Sequence, residues 1–344
     1  MRKFILTVIC IISGASFLSA CAEEDDYMFD GRIDSTFVAD TIIRHDTIII
    51  HNDSTNKNDT IIKTDTIINK DTIISNHDKK ILLDFDMLTE ANIKVEKTFK
   101  MNNASNTSYQ GMAVFNDYLF QCRHSNNIID VYNLKNNNLA FTIEQKGEGA
   151  VHCNNVDFGT QYYSETDEFP LLYLEHQGTK HKTSVYRIIK KENAYTAEKI
   201  QTFNFSPCSW SISNNDIDNG YMYISHDGIG SSYNIAKIKI PDFKDGDLDI
   251  TLNAESCVEY FPVEDNSNKV GQDATIYKNK LFQLKGQSGN SELRIYNLNN
   301  HNLIFSVDLR KMGISGEPEG IAWYKDHIMI SVINGQIYNM YFIE

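Results

Sequence analysis

Between residues 108 and 121 the chain reads "SYQGMAVFNDYLFQ", and between 269 and 284 it reads "KVGQDATIYKNKLFQL". Each copy places a Gln beside a Gly or in a Gly-Gln-Asp phrase, then two apolar pairs separated by a polar turn and closed by Phe-Gln. Looser copies follow the same plan: "HCNNVDFG" leads to "FPLLYLEH", "CSWSISNN" to "GYMYISHD", and "GEPEGIAWYKDHIMISV" ends the series. Short apolar runs bounded by Asn, Asp, Gly and Ser are the mark of many short antiparallel strands. The copies start near Gln110, His152, Trp210, Gln272 and Glu319, and several are followed by a third strand-like run such as "IIDVYNL" or "LRIYNL". A repeat of about fifty residues, built of hairpins, predicts an all-β chain folded as a β-propeller. Five blades are expected, with six as the alternative because the units at His152 and Trp210 are longer. "ANIKVEKTFKM", ahead of the first full unit, is expected to supply the outer strand of the last blade and remove an open edge.

The first twenty residues have a different character. Arg2 and Lys3 precede an apolar run from Phe4 to Ile12 and then small residues, the plan of a signal peptide too short to span a bilayer. Its end, Leu18-Ser19-Ala20-Cys21, resembles a bacterial lipobox, which implies acylation of Cys21 and an anchor in the outer membrane. The acids Glu23, Glu24, Asp25 and Asp26 that follow resemble the surface-export tag of Bacteroidota lipoproteins, which implies display outside the cell.

Residues 21–80 read as an export tag and an extended tether. Asp-Thr-Ile-Ile recurs from Asp40, Asp46, Asp59, Asp65 and Asp71, with Asn, Asp and Lys between the Ile pairs and little to build a core. About fifty-five residues at ~3.3 Å each reach on the order of 180 Å when drawn out. The repeat resembles the acceptor of Bacteroidota protein O-glycosylation, which implies sugars on Thr41, Thr47, Thr60, Thr66 and Thr72. Residues 81–344 are then the propeller.

In a propeller the first strand of each blade lines a central channel, so repeated positions converge. Gln110, His152, Asn154, Trp210, Gln272, Asp273, Glu317 and Glu319 are the candidates for the channel mouth. Arg123, His124, Glu175, His176, His226, Asp227 and Lys285, at the returning ends of the second strands, form a second tier. Convergent polar groups of this kind suit a small-molecule, glycan or peptide ligand.

The order of short motifs resembles the propeller-type glutaminyl-peptide cyclotransferases from Gln110 to Glu344. The matching phrases are "QGM" at Gln110, "GEG" at 147–149, "SWSI" at Ser209 with "SHDG" at Ser225, and "EPEG" at Glu317. Ser stands on both sides of Trp210 where that family has Gly, and His226 splits its Ser-Asp pair. The resemblance implies Glu148 or Glu319 as a proton shuttle between an N-terminal amine and departing ammonia, with Trp210 stacking on substrate and no metal or other cofactor.

Other chemistries lack support. A net charge of −14 with no Lys/Arg cluster excludes a nucleic-acid reader. His152, His176 and His226 show no metal-ligand spacing, and no nucleophile-elbow motif is present. Cys122, Cys153, Cys208 and Cys257 allow three disulfide pairings or none. Two functions remain: a tethered surface module that binds a ligand at the channel mouth, the leading reading, and an enzyme of cyclotransferase or related lyase or hydrolase type.

Overall fold

The polar turns that separate the apolar pairs are tight enough to fix hairpins. Asn116, Lys278, Asn279 and Lys325 all have positive φ, between 48° and 58°, the geometry that joins two antiparallel strands through a two-residue turn. The structure is a computed structural model. It describes residues 8–11, 16–19, 84–101, 108–124, 126–146, 152–177, 182–192, 194–205, 212–216, 220–227, 233–243, 249–263 and 269–344. Cys21, the Asp-Thr-Ile-Ile threonines Thr41, Thr47, Thr60, Thr66 and Thr72, Glu148 and Trp210 lie outside these, as do the side chains of His152, His176, His226 and Asp227.

The chain divides into two units, Met1–Asn76 and His77–Glu344. In the first, the described part is an antiparallel hairpin of β1 (Val8–Ile11) and β2 (Ser16–Ser19), with Val8 opposite Ser19.

The second unit contains three four-stranded antiparallel sheets and one nine-stranded sheet, and the latter resolves into two four-stranded blades joined at their outer strands with one further strand beside them, so the blades number five. Its first strand in sequence, β3 (Ile93–Lys100), belongs to the last blade. Blade one holds β4 (Tyr109–Phe115), β5 (Tyr118–Arg123), β6 (Ile128–Asn133) and β7 (Asn138–Lys146). Blade two holds β8 (His152–Phe158), β9 (Leu172–Gln177), β10 (Lys182–Lys191) and β11 (Ala194–Phe205). Blade three holds β12 (Ile212–Asp216), β13 (Tyr221–Asp227), β14 (Tyr233–Lys239) and, after the detached strand β15 (Asp249–Leu252), β16 (Cys257–Val263). Blade four is β17 (Gly271–Tyr277), β18 (Lys280–Gln287), β19 (Asn290–Asn297) and β20 (Leu303–Asp308). Blade five is β21 (Pro318–Tyr324), β22 (His327–Val332), β23 (Gln336–Phe342) and β3.

The predicted closure is present. β3 pairs antiparallel with β23, Lys94 opposite Tyr341, and it is pinned at both ends: Met101 N donates to Gly335 O at 2.9 Å, and Asn92 Nδ2 donates to Ile343 O at 3.0 Å.

Packing confirms the ring. Alternate residues of a strand face opposite sides of its sheet, so each blade offers one apolar face to each neighbour. Five buried clusters result, one per interface. Phe120 and Val131 of blade one meet Val156 and Leu174 of blade two; Tyr173 and Phe203 meet Met222 and Ile224 of blade three. Tyr223 and Ile235 meet Leu281 and Tyr296 of blade four; Phe282 and Ile295 meet Ile330 and Met340 of blade five. Met329 and Ile337 of blade five meet Leu119 and Tyr132 of blade one, which closes the circuit.

Among the described residues, the extra length of the second and third units builds no sixth blade. Between β8 and β9 lies a long loop, tied down where Arg187 forks onto Asp167 (2.7 Å) and where Gln161 Oε1 accepts from Phe243 N (3.0 Å). In the third unit the added residues form β15, which lies parallel to the end of β11. The start of β11 also pairs in parallel with β7, so the outer strands of blades one and two are joined.

Cys122 and Cys153 form a disulfide, with Cα atoms 6.1 Å apart. It crosses from β5 to β8 and resolves the pairing that the sequence left open. Cys257 is free.

Candidate functional site

Most of the sequence-predicted mouth residues fall on irregularities in the innermost strands. The register between first and second strands shifts between Tyr109 and Met112, between Cys153 and Asn155, between Gly271 and Ala274, and between Pro318 and Gly320. The bulged residues are therefore Gln110 with Gly111, Asn154, Gln272 with Asp273, and Glu319. A bulge breaks the ladder and re-aims side chains, so four blades turn polar groups inward at one level.

Gly111, Asp273 and Gly320 are the third residues of β4, β17 and β21. A Cβ on Gly111 would lie 2.6 Å from Asn154 O, and one on Gly320 would lie 2.6 Å from Met112 Cβ. No side chain fits at either place. At the equivalent position of blade four, Asp273 extends its carboxylate among the other inner strands. Oδ2 accepts from Met112 N (3.2 Å) and Ile321 N (2.9 Å), and Oδ1 accepts from Ala274 N (2.8 Å) and from Asn155 Nδ2. Blades one, two, four and five thus meet on one fully buried carboxylate. Burial raises its pKa well above the usual carboxylate range, and the four N–H donors offset only part of that rise.

The bulges free backbone carbonyls, and the closing Gln of the repeated phrase answers them. Gln121 Nε2 donates to Gln110 O and, at 3.2 Å, to Gly111 O. That Gln is a clamp behind the inner strand, a role the sequence did not disclose.

Two further carboxyls share the channel. Glu319 is bonded by the Gln110 side chain, and burial, helped by the nearby Glu317 and Asp273 charges, pushes its pKa up to about 9. Glu175, on β9 opposite Asn155, is bonded by the Asn154 side chain; burial first, then the Asp273 charge, raise it to about 8. Both are therefore neutral acids at pH 7. Glu175 Oε2 is buried with no hydrogen-bond partner, as is Gln121 Oε1. Nearer the opening, Gln272 Nε2 donates to Glu317 Oε1 (3.2 Å) and to Gly286 O (3.0 Å), which links blade four to the segment entering blade five.

The structure thus brings together Gln110, Asn154, Gln272, Asp273, Glu317 and Glu319. It moves Glu175 from the second tier into the channel, and it turns Arg123 aside, bidentate on Asp130 at 2.7 Å through both Nε and NH2. His152 stands at the start of β8; Trp210 and Glu148 lie outside the described residues. The signal for Glu175 was present in "LYLEH", a carboxylate within an apolar run.

No protein-family model and no curated protein matches the sequence. Among solved structures the chain is similar to glutaminyl cyclase of Myxococcus xanthus, at 12% identity over 72% of this chain and 96% of that one, TM-score 0.45. It is similar to a catalytically inactive virginiamycin B lyase of Staphylococcus aureus, crystallised with quinupristin, at 14% identity over 73% and 100%, TM-score 0.40. A protein of unknown function from Bacteroides thetaiotaomicron matches at 10% identity over 72% and 76%, TM-score 0.41. Likenesses at this level carry no argument about activity; the propeller stands on its own strand pairing and its five interfaces.

Proposed function

We propose that this chain is a surface-anchored lipoprotein whose propeller binds a polar ligand, a glycan, peptide or partner-protein segment, at the channel mouth. The observation that carries the reading is the coincidence of the bulges with the repeated polar residues: Gln110, Asn154, Gln272 and Glu319 each fall at a break in the ladder between the first and second strands of their blades. A core that served only stability would keep its ladders regular and its channel apolar, because buried polar groups cost free energy unless fully paired. Export is supported by the lipobox at Cys21 and by the Cys122–Cys153 disulfide, which suits an oxidising compartment. The acids after Cys21 support display outside the outer membrane, and the threonines of the tether are the proposed sugar acceptors.

A second reading has one observation in its favour. A buried glutamic acid held neutral at pH 7, such as Glu319, suits general acid–base work, as a cyclotransferase-like, lyase or hydrolase reaction would use it. Thermal-shift and calorimetric screens with glycans and peptides, followed by mass analysis of products, separate the readings. Gln272→Ala and Glu317→Ala should abolish binding with the melting temperature nearly unchanged. Glu319→Gln should eliminate turnover in an enzyme; a binding module forms no product in either protein. Unimpaired binding in both alanine variants would overturn the mouth.

A further inference from the structure

The chain enters the propeller through a short segment that the candidate site does not use. In "DFDMLTEAN", residues 84–92, apolar side chains stand among acids and a Thr. Two single turns of 3-10 helix result, Phe85–Met87 and Glu90–Asn92. Asp84 caps the first, its Oδ1 accepting from Asp86 N at 3.0 Å, and Asn92 Oδ1 closes the second by accepting from Thr89 N at 2.9 Å. So short a piece has no helix stability of its own; it is held by what it packs against. Phe85, 3% exposed, stands edge-on to Phe282 and Phe342, each at 5.3 Å between ring centroids, and to Trp323 at 6.1 Å. Leu88 joins the same cluster. Asp86 pairs with Lys280 at 3.0 Å, and Asn92 Nδ2 donates to Ile343 O. The segment thus grips blade four through Phe282 and Lys280, and blade five through Trp323, Phe342 and Ile343.

These contacts all lie at one end of the strands. Lys280 opens β18 just past the turn at Lys278 and Asn279, Trp323 is next to last in β21, and Phe342 closes β23. The bulges lie at the other end: Gln272 is the second residue of β17, and Glu319 the second of β21. From Glu319 to Trp323 is about 13 Å of strand. A chain arriving at Asp84 therefore meets the ring on the face opposite the candidate mouth. From there it runs into β3, which travels from the turn face at Ile93, opposite Phe342, to the mouth face at Lys100, opposite Gln336. Antiparallel hydrogen bonds stand perpendicular to their strands. A pull on Asp84 directed away from the mouth lies along β3 and loads its bonds to β23 together, in shear, whereas a sideways pull opens them one at a time from Ile93. The grip on both blades meets the pull before β3, the strand that closes the ring, has to bear it.

We infer that the propeller is built to hold its ligand under tension: residues 84–92 pass a pull on the tether into the ring in shear, while the opposite face keeps hold of a ligand fixed to something immobile outside the cell. The inference rests on the mouth being a binding site and on the anchor at Cys21, and it names the kind of partner, one that resists the cell's movement instead of diffusing freely.

The test pulls single molecules of the full chain, held at the N-terminal end. In one geometry the second handle is an azide-bearing side chain placed at Ser288, in the exposed β18–β19 turn on the mouth face; in the other it is placed at Lys325, in the β21–β22 turn beside the entry. The first geometry loads β3 in shear and should need at least about twice the force to open the ring as the second, which peels it. In Phe85→Ala/Asp86→Ala the first geometry should gain an early step of up to about 30 Å, as residues 84–92 come free at ~3.4 Å each. Equal forces in the two geometries, or that early step in the parent protein, overturn the inference. Neither handle replaces a mouth residue, so such a failure leaves binding at the mouth standing. Unimpaired binding in Gln272→Ala and Glu317→Ala would overturn the ligand's part of the inference even with the shear geometry confirmed.

Discussion

At the scale of single residues, three buried carboxyls divide the work. Asp273 ties four blades together, so Asp273→Ala should leave three backbone N–H groups and the Asn155 amide facing no acceptor. The cost should be roughly 3–5 kcal/mol, and Asp273→Asn should recover little because its NH2 would confront N–H donors. Chemical denaturation of the two variants measures this. Glu175 and Glu319 act in the opposite sense. Their pKa values rise from an ordinary 4.5 to about 8 and about 9 in the fold, so between those limits the folded chain keeps protons that the unfolded chain has lost. Their stabilising contribution is complete below about pH 4.5 and is lost as pH climbs to 8 and 9, at up to about 1.4 kcal/mol per pH unit for each group. The double substitution Glu175→Gln/Glu319→Gln should therefore flatten the fall in melting temperature between pH 5 and pH 9. A slope unchanged from the parent protein would show that both acids ionise normally.

Blade by blade, the phrase repetition made the architecture readable. The Leu and Phe of "YLFQ" and "KLFQ" supply the alternation that packs one blade on two neighbours, and the polar turns between the apolar pairs set the hairpins. β3 was legible as the closing strand because the last unit ends after its third run. Four things were not legible. The bulges depend on how closely the inner strands approach, which Gly111 and Gly320 hint at but cannot locate without their neighbours. The clamp role of Gln121 depends on carbonyls that only a bulge releases. Glu175 sits in a run that alternation alone would assign to either face. The disulfide depends on two strands 31 residues apart meeting at one interface. Closing a loop of that size should stabilise the fold by roughly 3–4 kcal/mol, so Cys122→Ala/Cys153→Ala should lower the unfolding midpoint accordingly while leaving the Cys257 single variant near the parent. Equal effects of the two would place the cross-link elsewhere.

At the scale of the whole molecule, five blades close a ring; that its channel meets a ligand and that the leader and repeat carry it outward on a tether are proposals. Cys21→Ala should release the protein from the membrane fraction, and mass spectrometry of peptides from 34–79 of the native protein should find sugar on the repeat threonines; intact membrane association or bare peptides would remove those proposals while leaving the propeller untouched. The claim at the centre is that separate blades bury glutamic acids together, Glu319 from a bulge of β21 and Glu175 from β9 opposite a bulge of β8. Its most direct test is a pH titration of the full chain carrying 13C at the glutamate side-chain carboxyls, followed by NMR with Glu175→Gln and Glu319→Gln to assign the two signals. Two glutamates should stay protonated through pH 7 and titrate near 8 and 9, each signal vanishing in its own variant. If every glutamate has ionised by about pH 6, the channel is wet, the acids are ordinary surface carboxylates, and the account of the mouth is wrong.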